Sequence, residues 1–157
     1  MNLKCSVCNG YLREKYCRED GNEAENQVNP TDDGITYLVN AYRVTDASYK
    51  DPTARDYEES RHWFERALQY EDSFPPVLRM VSWFQYAMRI VQMIGGGPLY
   101  RVGSDDLREF MRALEEARQI LNTLPDGIKR TIQVRDPYDH MIRANLSEAR
   151  KVLQDRR

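Results

Sequence analysis

"FERAL" (residues 64–68) and "FMRAL" (residues 110–114) stand 46 residues apart and agree at Phe, Arg, Ala and Leu. The same ungapped shift sets Ala41 on Ala87, Arg43 on Arg89 and Pro52 on Pro98, seven identities in one register. They fall at equivalent places: late in a first helix, in a connection, and midway along a second helix. A single helical hairpin cannot cover its own apolar face, whereas two stacked hairpins share one and a further helix closes the end. The expectation is an all-α fold of stacked antiparallel hairpins, at 35–72 and 77–124, with a C-terminal capping helix. Ala41, Ala67, Ala87 and Ala113 are small enough to let helix backbones approach closely.

The rest of the chain agrees with helical spacing. "ITYLVNAYRV" places Ile35, Leu38, Ala41 and Tyr42 on one stripe, with Thr31 or Asp32 as cap. In "DPTARDYEESRHWFERALQY", Asp51 can cap with Pro52 at the first helical position, and Tyr57, Trp63, Phe64, Ala67 and Leu68 supply the buried face. "SFPP" stops or redirects that helix, because proline cannot continue the hydrogen-bond ladder. Residues 77–94 are apolar on nearly every side, through Val81, Trp83, Phe84, Tyr86, Met88, Ile90, Val91, Met93 and Ile94. That is the pattern of a central core helix, or of one that meets another subunit on part of its surface. "GGGP" (95–98) ends it, and 104–124 reads as an amphipathic helix with Ser104 as cap and acids in its first turn. "IKRTIQVRDP" is open between a short helix and an extended segment. A last helix is expected from Pro137 to Leu153, with Ile142, Leu146, Ala149 and Leu153 on one face.

These hairpins resemble the tetratricopeptide-like repeats over residues 35–124. Phe64-x2-Ala67 and Phe110-x2-Ala113 match the core of that family's second helix, and Trp83-x2-Tyr86-Ala87-x2-Ile90 loosely matches its first. Pro75 stands near the junction, where the family carries a proline. The period of 46 differs from the family's usual 34, and Ser60 occupies the position four before Phe64. The resemblance implies a scaffold that holds a protein partner in a groove lined by first-helix residues. Transferred by position, the groove residues are Asn40, Arg43, Trp83, Arg89 and Gln92.

Composition allows one domain with a small appendage: 157 residues, 41% hydrophobic and 31% charged. No run of 18 apolar residues exists, and the start, "MNLKCSVCNG", lacks an apolar leader core. A cytoplasmic protein that does not span a membrane is expected. Residues 1–34 form a cysteine-containing arm and a polar linker (21–34), and 35–157 form the helical body. Charge is uneven: residues 128–157 hold eight basic side chains against four acidic ones. That end, with Lys129, Arg130, Arg135, Arg143, Arg150, Lys151, Arg156 and Arg157, can serve as a salt-bridged last helix or touch nucleic acid.

All three cysteines lie in "CSVCNGYLREKYC" (5–17). Cys5-x2-Cys8 resembles a zinc knuckle, and Cys17 supplies a third thiolate. Zinc is borderline soft, accepts thiolates and imposes no geometry of its own, but a structural site takes four ligands. Asp20, His62, His140, water or another chain can supply the fourth, and Asp20 is the local choice. An odd number of cysteines in a cytosolic setting disfavours disulfides. No serine or cysteine motif accompanies the two histidines, so a nucleophilic triad is not legible. "GGGPLYRVGS" lacks the Lys-Ser/Thr ending of a phosphate loop. The acid pairs Glu58-Glu59, Asp105-Asp106 and Glu115-Glu116 suit helix ends and solvated faces. The expected function is a non-enzymatic interaction module, an adaptor or assembly subunit with zinc in its arm. The alternative is a nucleic-acid-associated protein using the arm and the basic end.

Overall fold

The computed structural model describes residues 30–48, 50–94, 97–135 and 137–157. The described residues form six α-helices and no strand: α1 (Pro30–Arg43), α2 (Ala54–Leu68), α3 (Pro76–Gln92), α4 (Ser104–Thr123), α5 (Asp126–Arg135) and α6 (Tyr138–Asp155). Two 3₁₀ turns, Glu71–Ser73 and Leu99–Arg101, lie in the connections. The fold is all-α, as the hydrophobic spacing predicts. The described residues divide into two compact units, one up to Phe74 and one from Pro75 on.

In the first unit α1 packs on α2. The helices run antiparallel: Tyr37 meets Arg66 while Ala41, further along α1, meets Ser60, earlier on α2. Tyr37, Leu38 and Ala41 of α1 and Trp63, Phe64, Ala67 and Leu68 of α2 are buried. Ser60 is also buried, and its Oγ donates to the Ala41 carbonyl at 2.6 Å. A small hydroxyl at this point lets the two backbones close together while satisfying its own polar atom. Tyr57 is half-buried and Tyr42 is exposed, so the expected stripe holds at its centre and frays at its edges.

Three helix starts differ from expectation. α1 begins at Pro30, so Thr31 and Asp32 lie within its first turn and residues 30–34 are helix instead of linker. α2 is capped by Thr53, not Asp51. The Asp56 amide donates to Thr53 Oγ1 (3.2 Å) and the Thr53 amide donates to Asp56 Oδ2 (2.9 Å), a reciprocal capping box. This arrangement satisfies two amides at once, which Asp51 followed by Pro52 cannot. α4 starts with Gly103 as its cap, and Ser104 is the first helical residue.

In the second unit α3 packs on α4, again antiparallel: Trp83 lies beneath Arg112 while Tyr86 bonds Glu109. Met80, Trp83, Phe84, Tyr86, Ala87 and Ile90 of α3 are buried against a core that includes Leu107, Phe110, Ala113, Leu114 and Ala117 of α4. Val81, Met88 and Val91 are only half-buried, so α3 is a core helix with part of its apolar surface uncovered; Met93 and Ile94, just past its end, are half-buried too. The open segment after α4 is helical: α5 runs Asp126–Arg135. α6 then lays Ile142, Leu146 and Ala149 against α4 and the Leu99–Arg101 turn, with Leu153 half-buried. Spacings of four and three keep those side chains on one face. Phe84 meets the Tyr138 ring edge-to-face at 5.1 Å. Within this unit, the last helix covers the second hairpin.

The shift of 46 holds at the level of packing. Ala41 and Ala87, Phe64 and Phe110, and Ala67 and Ala113 are each 0% exposed. Pairs that are similar without being identical follow: Thr36 and Ser82, Tyr37 and Trp83, Leu38 and Phe84 are buried at equivalent sites.

Candidate interaction surface

Each first helix carries a polar row on a 3-4-3 spacing, which puts its members on one face. On α1 the row is Asp33, Thr36, Asn40 and Arg43; on α3 it is Arg79, Ser82, Tyr86 and Arg89. The first three of α1 are buried and Arg43 is half-buried, while Ser82, Tyr86 and Arg89 are buried and Arg79 is half-buried. Buried polar groups are costly unless hydrogen-bonded, so their partners matter. Arg89 Nη1 donates to Gln85 Oε1 (3.1 Å) and to Gln92 Oε1 (3.0 Å). Tyr86 donates its hydroxyl to Glu109 Oε1 (3.1 Å), and Ser82 Oγ donates to the Leu78 carbonyl (2.7 Å). Asn40 Oδ1 and Arg79 Nε are buried without a hydrogen-bond partner among the described residues.

Of the five groove residues read from the sequence, Asn40, Trp83 and Arg89 are therefore buried, and Arg43 and Gln92 are half-buried. Asn40 and Arg43 share the row on α1. Arg89 and Gln92 are joined by a hydrogen bond, and Trp83 faces α4 under Arg112.

Arginine–aromatic stacking, unforeseen from sequence, ties each hairpin together. Arg66 lies 4.5 Å from the Tyr37 ring centre and 5.0 Å from that of Trp63, and Nη2 donates to the Tyr37 hydroxyl (3.2 Å). Tyr37 and Trp63 stack at 5.6 Å. Burial pushes the Tyr37 phenol well above its ordinary range, with the charges of Asp33 and Tyr70 adding to the effect. Burial also pulls the Arg66 guanidinium below its usual value. Arg112 lies 5.2 Å over Trp83 and is held to Glu109, whose hydrogen bond raises the arginine against the opposing effect of burial. Matching the 46-residue shift by chemical likeness as well as identity points to these pairs: Tyr37 with Trp83, and Arg66 with Arg112.

On the outer face of α2, Arg55, Glu58, Glu59 and His62 line a groove of about 220 Å³. His62 is exposed, with Nδ1 3.5 Å from Glu65 Oε2, while Glu65 Oε1 accepts from Arg61 Nε at 3.3 Å. Cys5, Cys8, Cys17 and Asp20 lie outside the described residues. Among the described residues, no three of His, Cys, Asp and Glu are grouped to hold a metal ion.

Several cations of the basic end have intramolecular roles. Arg143 pairs with Asp139 (2.7 Å) and Arg150 with Glu115 (2.8 Å). Arg156 donates to the carbonyls of Tyr100 and Val102 and to Ser104 Oγ. Lys129, Arg130, Lys151 and Arg157 make no ion pair among the described residues. No helix among them is long and apolar enough to cross a membrane.

Comparison of the chain with protein-family models, curated proteins and solved structures finds no significant match.

Proposed function

We propose that this chain is a protein–protein interaction module of the cytoplasm, an adaptor or assembly subunit without catalytic activity, whose repeated hairpins serve as its scaffold and whose cysteine arm holds a structural zinc. The observation that carries the reading is the doubled hairpin: Phe64 and Phe110, Ala41 and Ala87, and Ala67 and Ala113 occupy equivalent, fully buried positions. A repeated hairpin with polar rows on its first helices is a form suited to holding a partner segment by several side chains at once. The half-buried Arg43 and Gln92 retain surface to offer a partner. Arginine forms paired hydrogen bonds to carboxylates, so an acidic segment is the chemistry expected.

The test is affinity capture with the full chain, followed by titration of the captured protein in purified form. Charge reversal at Arg43 together with Gln92→Glu should weaken binding more than tenfold, with helicity unchanged by circular dichroism. Equal affinity in the variant removes the reading. Binding to single-stranded RNA that falls steeply between 50 and 200 mM salt would instead favour the phosphate-contacting alternative.

A further inference from the structure

We infer that Arg79 is the anchor for a carboxylate of an acidic partner segment, which it grips side-on through Nε and one Nη; this rests on the interaction-module reading above and adds a contact to it. Arg79 closes the first turn of α3, its amide bonded to the Pro75 carbonyl at 2.9 Å, and its side chain is half-buried. The Nε atom is buried, and the guanidinium makes no hydrogen bond or ion pair among the described residues. Other guanidiniums of the two hairpins are engaged: Arg66 donates to Tyr37, Arg89 to Gln85 and Gln92, and Arg112 pairs with Glu109. A buried donor left without an acceptor costs stability, and costs more when it is charged. A polar group kept at such a cost calls for a use outside the fold.

The surroundings of Arg79 set the chemistry of its ligand. α3 holds two arginines and no acid, so its own helix offers no carboxylate. Its start has no side-chain cap, so the positive end of the helix dipole adds to the guanidinium charge. Helical side chains lean toward the N-terminus, which brings that charge back over the first turn. An anion is therefore favoured. Nε and its neighbouring Nη present two parallel N–H bonds on one edge, and these match the two oxygens of a carboxylate. Arg79 also heads the polar row of α3, and 46 residues earlier the row of α1 is headed by Asp33. The two rows thus carry opposite charge at equivalent places, and the acid-binding end belongs to α3.

The experiment is NMR of the arginine Nε–Hε groups in the full chain, titrated with a blocked tetraglutamate peptide, its tetraglutamine counterpart and inorganic phosphate. The Arg79 signal, assigned by its loss in Arg79→Lys, should shift saturably with tetraglutamate and stay in place with tetraglutamine. Affinity for tetraglutamate should fall about tenfold in both Arg79→Met and Arg79→Lys, because lysine keeps the charge without the fork. The urea midpoint of Arg79→Met should equal or exceed that of wild type, since the unsatisfied donor is gone. Wild-type affinity in Arg79→Lys would reduce the site to charge alone and overturn the inference. Phosphate bound as tightly as tetraglutamate would overturn the choice of carboxylate. A lower urea midpoint in Arg79→Met with unchanged peptide affinity would make the residue structural. If a captured partner binds Arg79→Met as it binds wild type but loses the variant at Arg43 and Gln92, this inference fails while the module reading stands. If it binds both variants as it binds wild type, both fail.

Discussion

The guanidinium of Arg66 sits 4.5 Å from the centre of the Tyr37 ring, and adding 46 to both numbers gives a second such pair, Arg112 over Trp83 at 5.2 Å. Each pair bridges the two helices of its hairpin. A cation over an aromatic face gains about 0.5–1 kcal/mol when exposed and about 2 when desolvated. Arg66 is half-buried and Arg112 is exposed. Double-mutant cycles by urea denaturation should therefore give a coupling of about 1–2 kcal/mol for Arg66→Met with Tyr37→Leu. The cycle for Arg112→Met with Trp83→Leu should give about 0.5–1 kcal/mol. A coupling near zero in the second hairpin would mean that the Glu109 pair, not the ring, holds Arg112.

Gly34 lies inside α1, where glycine is ordinarily a weak choice. A β-carbon there would stand 2.8 Å from Phe74 Cε1 and 2.9 Å from Tyr70 Cβ. Alanine would gain about 1 kcal/mol of helix propensity. The clash involves a β-carbon tied to its backbone and a buried ring, and overpacking of that kind costs about 1–3 kcal/mol. Gly34→Ala should therefore lower stability by about 1 kcal/mol, read as a fall in the urea midpoint. A gain would show that Phe74 and Tyr70 withdraw freely.

The sequence marks where bulk and smallness must fall, because the 46-residue shift and the 3.6-residue period both track burial. Phe64, Ala67, Phe110 and Ala113 are legible for that reason. Features that depend on a partner distant in sequence are not. Ser60 looks like a departure from the repeat until the Ala41 carbonyl is seen 2.6 Å away. Gly34 reads as linker because nothing local announces Phe74. Ser104 looks like a cap, yet its hydroxyl accepts from Arg156, 52 residues further on. Of the candidate site, the first-helix positions are legible by periodicity, but the burial of Asn40, Trp83 and Arg89 is not, since periodicity alone does not say what covers a face.

Thr53 and Asp56 should carry the start of α2. Thr53→Ala removes the hydroxyl that accepts from the Asp56 amide and should cost about 1 kcal/mol, while Asp51→Ala should stay within about 0.5 kcal/mol of wild type. The effect depends on pH. The Thr53 amide, its largest influence, holds the Asp56 carboxyl below its usual value; burial opposes this, and the Thr53 hydroxyl and Lys50 add to the lowering. A folded-state value below the unfolded one gives stabilisation that is complete above about pH 4 and lost as pH falls through the folded value. The stability difference between wild type and Asp56→Asn should therefore be constant from pH 5 to 7 and shrink below pH 4. A difference that persists at pH 2.5 would assign the effect to packing.

Asn40 separates stability from binding. It is 1% exposed, and its Oδ1 has no partner among the described residues. A buried, unsatisfied acceptor costs about 1–3 kcal/mol, so Asn40→Leu should leave stability unchanged or raise it. If the polar row of α1 receives a partner, the same substitution should weaken capture. Higher stability with lost binding is the mark of a functional polar residue. Loss of both would make Asn40 a structural residue whose acceptor is satisfied by water.

Arg156 closes the far end of the second unit. Its guanidinium donates to the Tyr100 carbonyl (2.8 Å), the Val102 carbonyl (2.7 Å) and Ser104 Oγ (2.8 Å), joining the end of α6 to the turn that leads into α4. Charge-assisted bonds to carbonyls are stronger than neutral ones, but the residue is exposed and water competes for each donor. A net contribution of about 1 kcal/mol is expected, which corresponds to about fivefold in an opening equilibrium. Amide hydrogen exchange at Arg101, Val102 and Leu107 should accelerate by that factor in Arg156→Ala and by less in Arg156→Lys, which keeps charge without the fork. Arg157→Ala, one residue on, should leave those amides unchanged. Equal acceleration in both variants would trace the effect to fraying of α6 instead of the three bonds. Because the Leu99 and Val102 side chains are buried beneath this turn, the acceleration should remain local and leave Phe110 and Leu114 protected.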